Sequence, residues 1–181
     1  MIFQFTGLSG AGKTTLANHL TRLLQNDGYS TEVLDGDEIR KTLSADLGFS
    51  HADRITHLER MGKAASESDA QIVIISAINP YQSGRDHLRN RYNAKLIWIK
   101  CGLNVLKVRD TKGLYNRAFL PNGHPDKLNN LTGVNDPFET TINPDLVVHT
   151  DQEDVESSAY QIYHFILKTI ETPLPSRVLV N

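Results

Sequence analysis

The sequence predicts an α/β fold, a three-layer sandwich built on a parallel five-stranded sheet. Two observations predict it. Short, β-branched apolar runs alternate with helical patterns along the chain. The first run leads directly into Gly7-Leu8-Ser9-Gly10-Ala11-Gly12-Lys13-Thr14, a full match to the phosphate-binding pattern G-x-x-x-x-G-K-[ST]. Strand, glycine-rich turn and helix are the setting that pattern requires, and together they narrow the class to the P-loop nucleoside triphosphate hydrolase and kinase fold.

The strand runs are 2–6, 31–35, 71–77, 95–101 and 146–150. Their near-continuous hydrophobicity suits parallel strands covered on both faces. Helices are predicted near 13–27, 54–69, 83–91, 103–108 and 152–171; in the first, Leu16, Leu20, Leu23 and Leu24 fall at helical spacing. Strands joined through helices imply right-handed crossovers, with ligands at the carboxyl ends of the strands. The stretch 109–145 breaks the rhythm with four prolines and several Gly, Asn and Asp residues, and reads as an irregular lid. The tail 172–181, with two prolines, reads as weakly packed. The whole chain reads as one kinase-type domain carrying this lid.

The phosphate loop names a ligand and a geometry together. Its glycines let successive N–H groups point inward as donors, and the following helix adds its positive end. Gly7, Ser9, Gly10, Ala11, Gly12, Lys13, Thr14 and Thr15 are the expected ATP-binding residues. Lys13 reaches the β- and γ-phosphates and the Thr14 hydroxyl ligates Mg²⁺.

With 181 residues the chain can bury about 70% of its unfolded surface. A net charge of −2 gives no general pull toward nucleic acid, and no apolar run is long enough for a membrane span. One cysteine, Cys101, excludes an internal disulfide and reads as a buried structural thiol. The first residues enter a strand with no signal-peptide pattern, which makes the cytoplasm the expected location. His51, His124 and His149 lack ligand spacing, so no zinc site is expected.

Asp35-Gly36-Asp37 closes the second strand and opens a short helix. Phosphoryl transfer to a hydroxyl needs Mg²⁺ and a carboxylate that orients the nucleophile or takes its proton. Asp35 is expected to do this, with Asp37 beside it; capping of the helix near Glu38 is the structural role open to Asp37. The third strand ends in Ser76 rather than in a metal-organising aspartate, which points to small-molecule kinases rather than motor or switch ATPases.

With these motifs placed, the chain resembles the adenylylsulfate kinases over nearly its whole length. The matching blocks are the phosphate loop, Leu34-Asp35-Gly36-Asp37-Glu38-Ile39-Arg40, Asp46-Leu47-Gly48-Phe49-Ser50 with Asp53-Arg54, Arg109-Asp110-x-Lys112-Gly113-Leu114-Tyr115, and Thr132-Gly133 with Pro137. The resemblance implies transfer of the ATP γ-phosphate to the 3′-hydroxyl of adenosine 5′-phosphosulfate, and a homodimer. It implies that Lys13, Asp35 and Asp37 are catalytic, that Arg40 and Arg54 hold the acceptor's phosphosulfate, and that Phe49 stacks on its base. Arg109 lies in the lid over ATP, and Lys112 reaches phosphates or the acceptor. Asp37, His57, Ile78, Asn79, Pro80 and Leu131 complete the implied acceptor site.

Departures from the family pattern cluster on the acceptor side. Where the family reads Glu-Asn-Ile-Arg-Arg, this chain has Thr56-His57-Leu58-Glu59-Arg60. His57 reads either as an acceptor contact or as a half-exposed helix residue. Ile78-Asn79-Pro80 replaces Ile-Ser-Pro, so a phosphoserine mechanism is excluded. Leu131 replaces a second stacking aromatic, and residues 120–126 lengthen the lid. Two further readings follow: the same chemistry on another nucleotide such as cytidine diphosphoramidate, and a nucleotide-binding protein without catalysis. The presence of Lys13, Thr14 and Asp35 together argues against the last.

Overall fold

A computed structural model of the chain describes residues 1–171; the tail 172–181, read as weakly packed, lies outside them. The strands are β1 (Ile2–Thr6), β2 (Thr31–Asp35), β3 (Ile72–Ser76), β4 (Lys95–Lys100) and β5 (Leu146–His149). The helices are α1 (Lys13–Asn26), α2 (Gly36–Ile39), α3 (His51–Ser66), α4 (Gln82–Tyr92), α5 (Leu103–Arg109), α6 (Leu114–Ala118) and α7 (Val155–Glu171). The strands form one parallel sheet in the order β2-β3-β1-β4-β5, the α/β sandwich the sequence predicts.

Alternation along β1 explains the two helical layers. Phe3 and Phe5 point to one face, where Leu16, Leu20 and Leu24 of α1 and Ile162 and Ile166 of α7 cover them. Ile2 points to the other face, with Leu58 and Met61 of α3 and Leu88 of α4. Leu20 has no exposed surface, and truncating it to alanine costs about 2–5 kcal/mol. Among the described residues no helix is long and apolar enough to cross a membrane.

Most ends shift by a residue or more, and three differences from the sequence reading have a clear local reason. Helix α3 starts at His51 rather than 54 because Ser50 and Asp53 form a reciprocal capping box: the Ser50 hydroxyl accepts from the Asp53 N–H, and the Asp53 carboxylate accepts from the Ser50 N–H. Helix α7 starts at Val155 rather than 152 because the Asp154 carboxylate caps it, accepting from the Ser157 N–H at 2.7 Å. The irregular stretch 109–145 contains a helix the sequence reading missed, α6, entered through Asp110, whose two carboxylate oxygens accept from the Tyr115 and Asn116 N–H groups. The rest of the stretch is tied to the body: the Glu139 N–H donates to the Pro80 carbonyl at 2.9 Å. The wholly buried Arg85 donates to the carbonyls of Glu139 and Thr140 and to those of Asn79 and Pro80.

Candidate active site

The carboxyl ends of β1, β2 and β3 open on one cavity of about 950 Å³. The phosphate loop forms part of its wall. Gly12 caps α1, and Ser9, Gly10, Gly12, Lys13, Thr14 and Thr15 all line the space. Gly7 and Ala11, expected among the ATP-binding residues, do not line it. Ala11 has no exposed surface, and its carbonyl accepts from the Thr150 hydroxyl at 2.8 Å. Gly7 lies against β4, where a Cβ would stand 2.3 Å from the Ile99 carbonyl oxygen, so packing alone requires a glycine there.

The Lys13 ammonium donates to the Gly7 and Leu8 carbonyls, both at 2.9 Å. Desolvation pulls its pKa down to about 8; Asp37 and Asp35 oppose the fall and Lys112 adds to it. The Thr14 hydroxyl donates to Asp35 Oδ2 at 2.7 Å, and Asp35 Oδ1 accepts from the Asp37 N–H at 2.9 Å. Asp35 is therefore the cap of α2, the part the sequence left open to Asp37. Asp37 is free of that duty and pairs with Lys112 across the mouth of the cavity. Burial alone would raise the Asp37 carboxyl, but Lys112, with Lys13 and Arg40, holds it below the usual range.

The donor chemistry fits Mg²⁺. Thr14 and Asp35 supply hard oxygens beside the phosphate loop. Among the described residues no group of three or more His, Cys, Asp or Glu forms a cage. An ion that keeps its waters and binds through one or two protein oxygens plus substrate phosphates needs no more.

Beyond Asp37 the cavity continues to a basic, aromatic end. Arg40 lies over the Phe49 ring at 4.5 Å and donates to the Gly48 carbonyl at 2.8 Å. Arg54 approaches the same ring at 5.6 Å. Phe49 is half exposed, so it is not a core residue. Pro80, Ile78, Asn79, Lys112 and Leu131 also line the cavity. The Asn79 amide donates to Gln4 Oε1 at 3.1 Å, which turns that group toward the sheet. At the far end Arg109 reaches the Thr150 carbonyl and Cys101 Sγ from the end of α5.

His57 is not the half-exposed residue that one reading allowed. It is 5% exposed, lines the cavity, and its Nδ1 meets the buried Ser44 hydroxyl at 3.0 Å. Burial first, then the Arg40 charge, lowers its pKa to about 4. Glu59, counted with the acceptor-side departures, does not line the cavity; it bonds His87 and Tyr92 on α4. Two residues of helix, about 200° of rotation, explain the split, since positions 57 and 59 then point to different faces of α3.

The sequence reading missed one wall altogether. Thr150, Glu153, Asp154, Val155 and Ser158 line the cavity from the β5–α7 corner. No motif marks them; only the rule that ligands sit where strands end would have found them.

Comparison with known proteins agrees with this geometry. The family described as adenylylsulphate kinase matches residues 1–149. The adenylyl-sulfate kinase of Rippkaea orientalis is 41% identical over 161 residues, covering 87% of this chain and 86% of the relative. That of Halothermothrix orenii is 38% identical over 181 residues, covering 98% and 95%. The structure of the Mycobacterium tuberculosis APS kinase in complex with AMPPNP and APS superposes with a TM-score of 0.78 at 30% identity, covering 92% of this chain and 98% of that one. The chain thus belongs to the adenylylsulphate kinase family, and it is a phosphotransferase with an alcohol group as acceptor.

Proposed function

We propose that this enzyme transfers the γ-phosphoryl group of ATP to the 3′-hydroxyl of adenosine 5′-phosphosulfate, giving 3′-phosphoadenosine 5′-phosphosulfate and ADP. One observation carries the reading: a single cavity joins the phosphate loop to the Arg40, Phe49 and Arg54 cluster, with Asp35 bonded to Thr14 on its wall. A relative crystallised with AMPPNP and APS supports it.

In this reading the loop amides and Lys13 hold the triphosphate. A polyphosphate offers the ammonium stronger acceptors than the two neutral carbonyls it now meets. Asp35 orients the acceptor hydroxyl and takes its proton as that oxygen attacks the γ-phosphorus. The bond from the γ-phosphorus to the bridging oxygen breaks, and ADP leaves with the electron pair. Thr14, with Asp35 close by, would hold Mg²⁺, which would supply charge neutralisation at the phosphates. Lys13 and the loop amides stabilise the charge that develops on the transferring group. Arg40 and Arg54 are guanidinium forks suited to phosphate and sulfate oxygens, and Phe49 offers a face for the base. Arg109 and Thr15 belong to the ATP side; Asp37, Lys112, Ile78, Pro80 and His57 belong to the acceptor side. The segment 109–145 acts as a lid that excludes water. The reading also carries a homodimer in the cytoplasm; a 27% identical relative is a hexameric APS kinase.

A second reading keeps the chemistry and changes the acceptor to a smaller-based nucleotide such as cytidine diphosphoramidate. The observation in its favour is that Leu131, an aliphatic residue, lines the same cavity as Phe49.

The test is product identity. Incubation with MgATP and adenosine 5′-phosphosulfate, followed by phosphorus NMR, should show a new 3′-phosphomonoester, formed at least tenfold more slowly with Asp35→Ala. ADP formation without that product would contradict the reading.

A further inference from the structure

Arg54 lines the cavity, yet only 7% of it is exposed, and two of its donors are already committed. Nε donates to the Phe49 carbonyl at 3.0 Å, and Nη2 donates to Asp136 Oδ2 at 3.0 Å. The Nη1 group makes no hydrogen bond to any of the described residues. Asp136 itself does not line the cavity. It reaches a ligand there through Arg54 and, more weakly, through Thr132, which lines the cavity and whose hydroxyl donates to the same Oδ2 at 3.3 Å.

The turn that carries Asp136 is closed on itself. The Asp136 carbonyl accepts from the Gly133 N–H at 2.7 Å, and its N–H donates to the Leu131 carbonyl at 3.2 Å. The Asn135 side chain locks the same turn, accepting from the Leu131 N–H and donating to the Leu128 carbonyl, both at 2.7 Å. On its other side the turn is pressed onto the phosphate loop. Gly133 has a φ of +86°, and a Cβ there would stand 2.6 Å from a Leu8 methyl. One short turn therefore touches Leu8 of the phosphate loop with Gly133 and Arg54 with Asp136.

A guanidinium is planar. Two bonds in that plane, one of them charge-assisted, fix its rotation and leave the third nitrogen aimed elsewhere. We propose that Asp136 is a positioning residue: it holds Arg54 so that Nη1 meets the acceptor's anionic group. The turn 131–136 seats that contact against the phosphate loop. The inference rests on the reading that Arg54 binds the acceptor.

Steady-state kinetics with both substrates varied tests it. Asp136→Asn keeps the size and an oxygen but loses the charge. It should raise KM for adenosine 5′-phosphosulfate at least tenfold while KM for MgATP stays within twofold. Asp136→Glu should recover part of the loss. In the Arg54→Ala background, Asp136→Asn should add less than twofold, since its charge-assisted route to the ligand is gone and only the weaker Thr132 contact is left. If Arg54→Ala leaves the acceptor KM unchanged, the acceptor-site reading fails. If Arg54→Ala raises it and Asp136→Asn does not, the positioning inference fails alone. Should Asp136→Asn not fold, the Asp136→Glu variant carries the test, expected to raise the acceptor KM selectively. Equal rises in both KM values, or additive effects in the double variant, would show a merely structural turn.

Discussion

The Thr14 hydroxyl donates to Asp35 Oδ2 at 2.7 Å, joining the end of the phosphate loop to the end of β2. The other carboxylate oxygen caps α2 through the Asp37 N–H. Both oxygens of Asp35 are thus fixed in place before any substrate arrives, which is what a nucleophile-orienting carboxylate needs.

Asp35→Ala should lower kcat at least tenfold. The lost cap costs about 1 kcal/mol, so the variant should stay folded. Circular dichroism with a coupled ADP assay checks both parts. A rate near wild type would remove Asp35 from the chemistry.

Lys13 carries a different signature. Its pKa is pulled down to about 8 chiefly by desolvation. A bound triphosphate favours the charged ammonium and raises that pKa. Nucleotide binding near pH 8 should therefore take up protons, seen by calorimetry in buffers of different ionisation enthalpy. Lys13→Ala should abolish the uptake and lower turnover at least tenfold. Equal uptake in both proteins would assign the proton elsewhere.

Phe49 presents a half-exposed ring beside two guanidinium groups. Base stacking of this kind contributes about 1–3 kcal/mol. Phe49→Ala should then raise the acceptor KM by about tenfold to a hundredfold and leave the ATP KM unchanged. A change confined to ATP would place the ring in the wrong half of the cavity.

His57 predicts an acid-sensitive fold. Burial, then Arg40, lowers its pKa from 6.5 to about 4. Between those values the unfolded chain binds a proton that the folded chain refuses. The contribution is fully present above pH 6.5 and is lost as pH falls toward 4. Urea unfolding across that window should show stability falling with pH, and His57→Gln should flatten the slope. An unchanged slope would mean that other groups set it.

How far the sequence reaches can be judged from particular residues. The strands and the phosphate loop are legible because β-branched runs and an eight-residue pattern are local signals. Asp35 is legible from its place at the end of the second strand, whereas Arg40 is expected only through the family resemblance. The β5–α7 wall is not, because Thr150 and Asp154 reach the cavity only through the sheet order. The burial of His57 was equally hidden: Ser44, its partner, lies thirteen positions back in a segment without helical pattern. Helix α6 escaped because the proline-rich stretch around it masks five residues whose start depends on the Asp110 carboxylate. Glu59 faces α4 rather than the cavity, and this was hidden because a substitution in a motif does not say which helix face it occupies.

The most direct measurement compares acceptors. Steady-state ADP release with MgATP should be followed with adenosine 5′-phosphosulfate, cytidine diphosphoramidate and plain nucleotides. The account predicts the highest kcat/KM for the phosphosulfate, with His57, Asn79 and Leu131 as tolerated variants of its site. A clear preference for the cytidine compound, with weak turnover of the phosphosulfate, would contradict it and assign those residues to a retuned acceptor site.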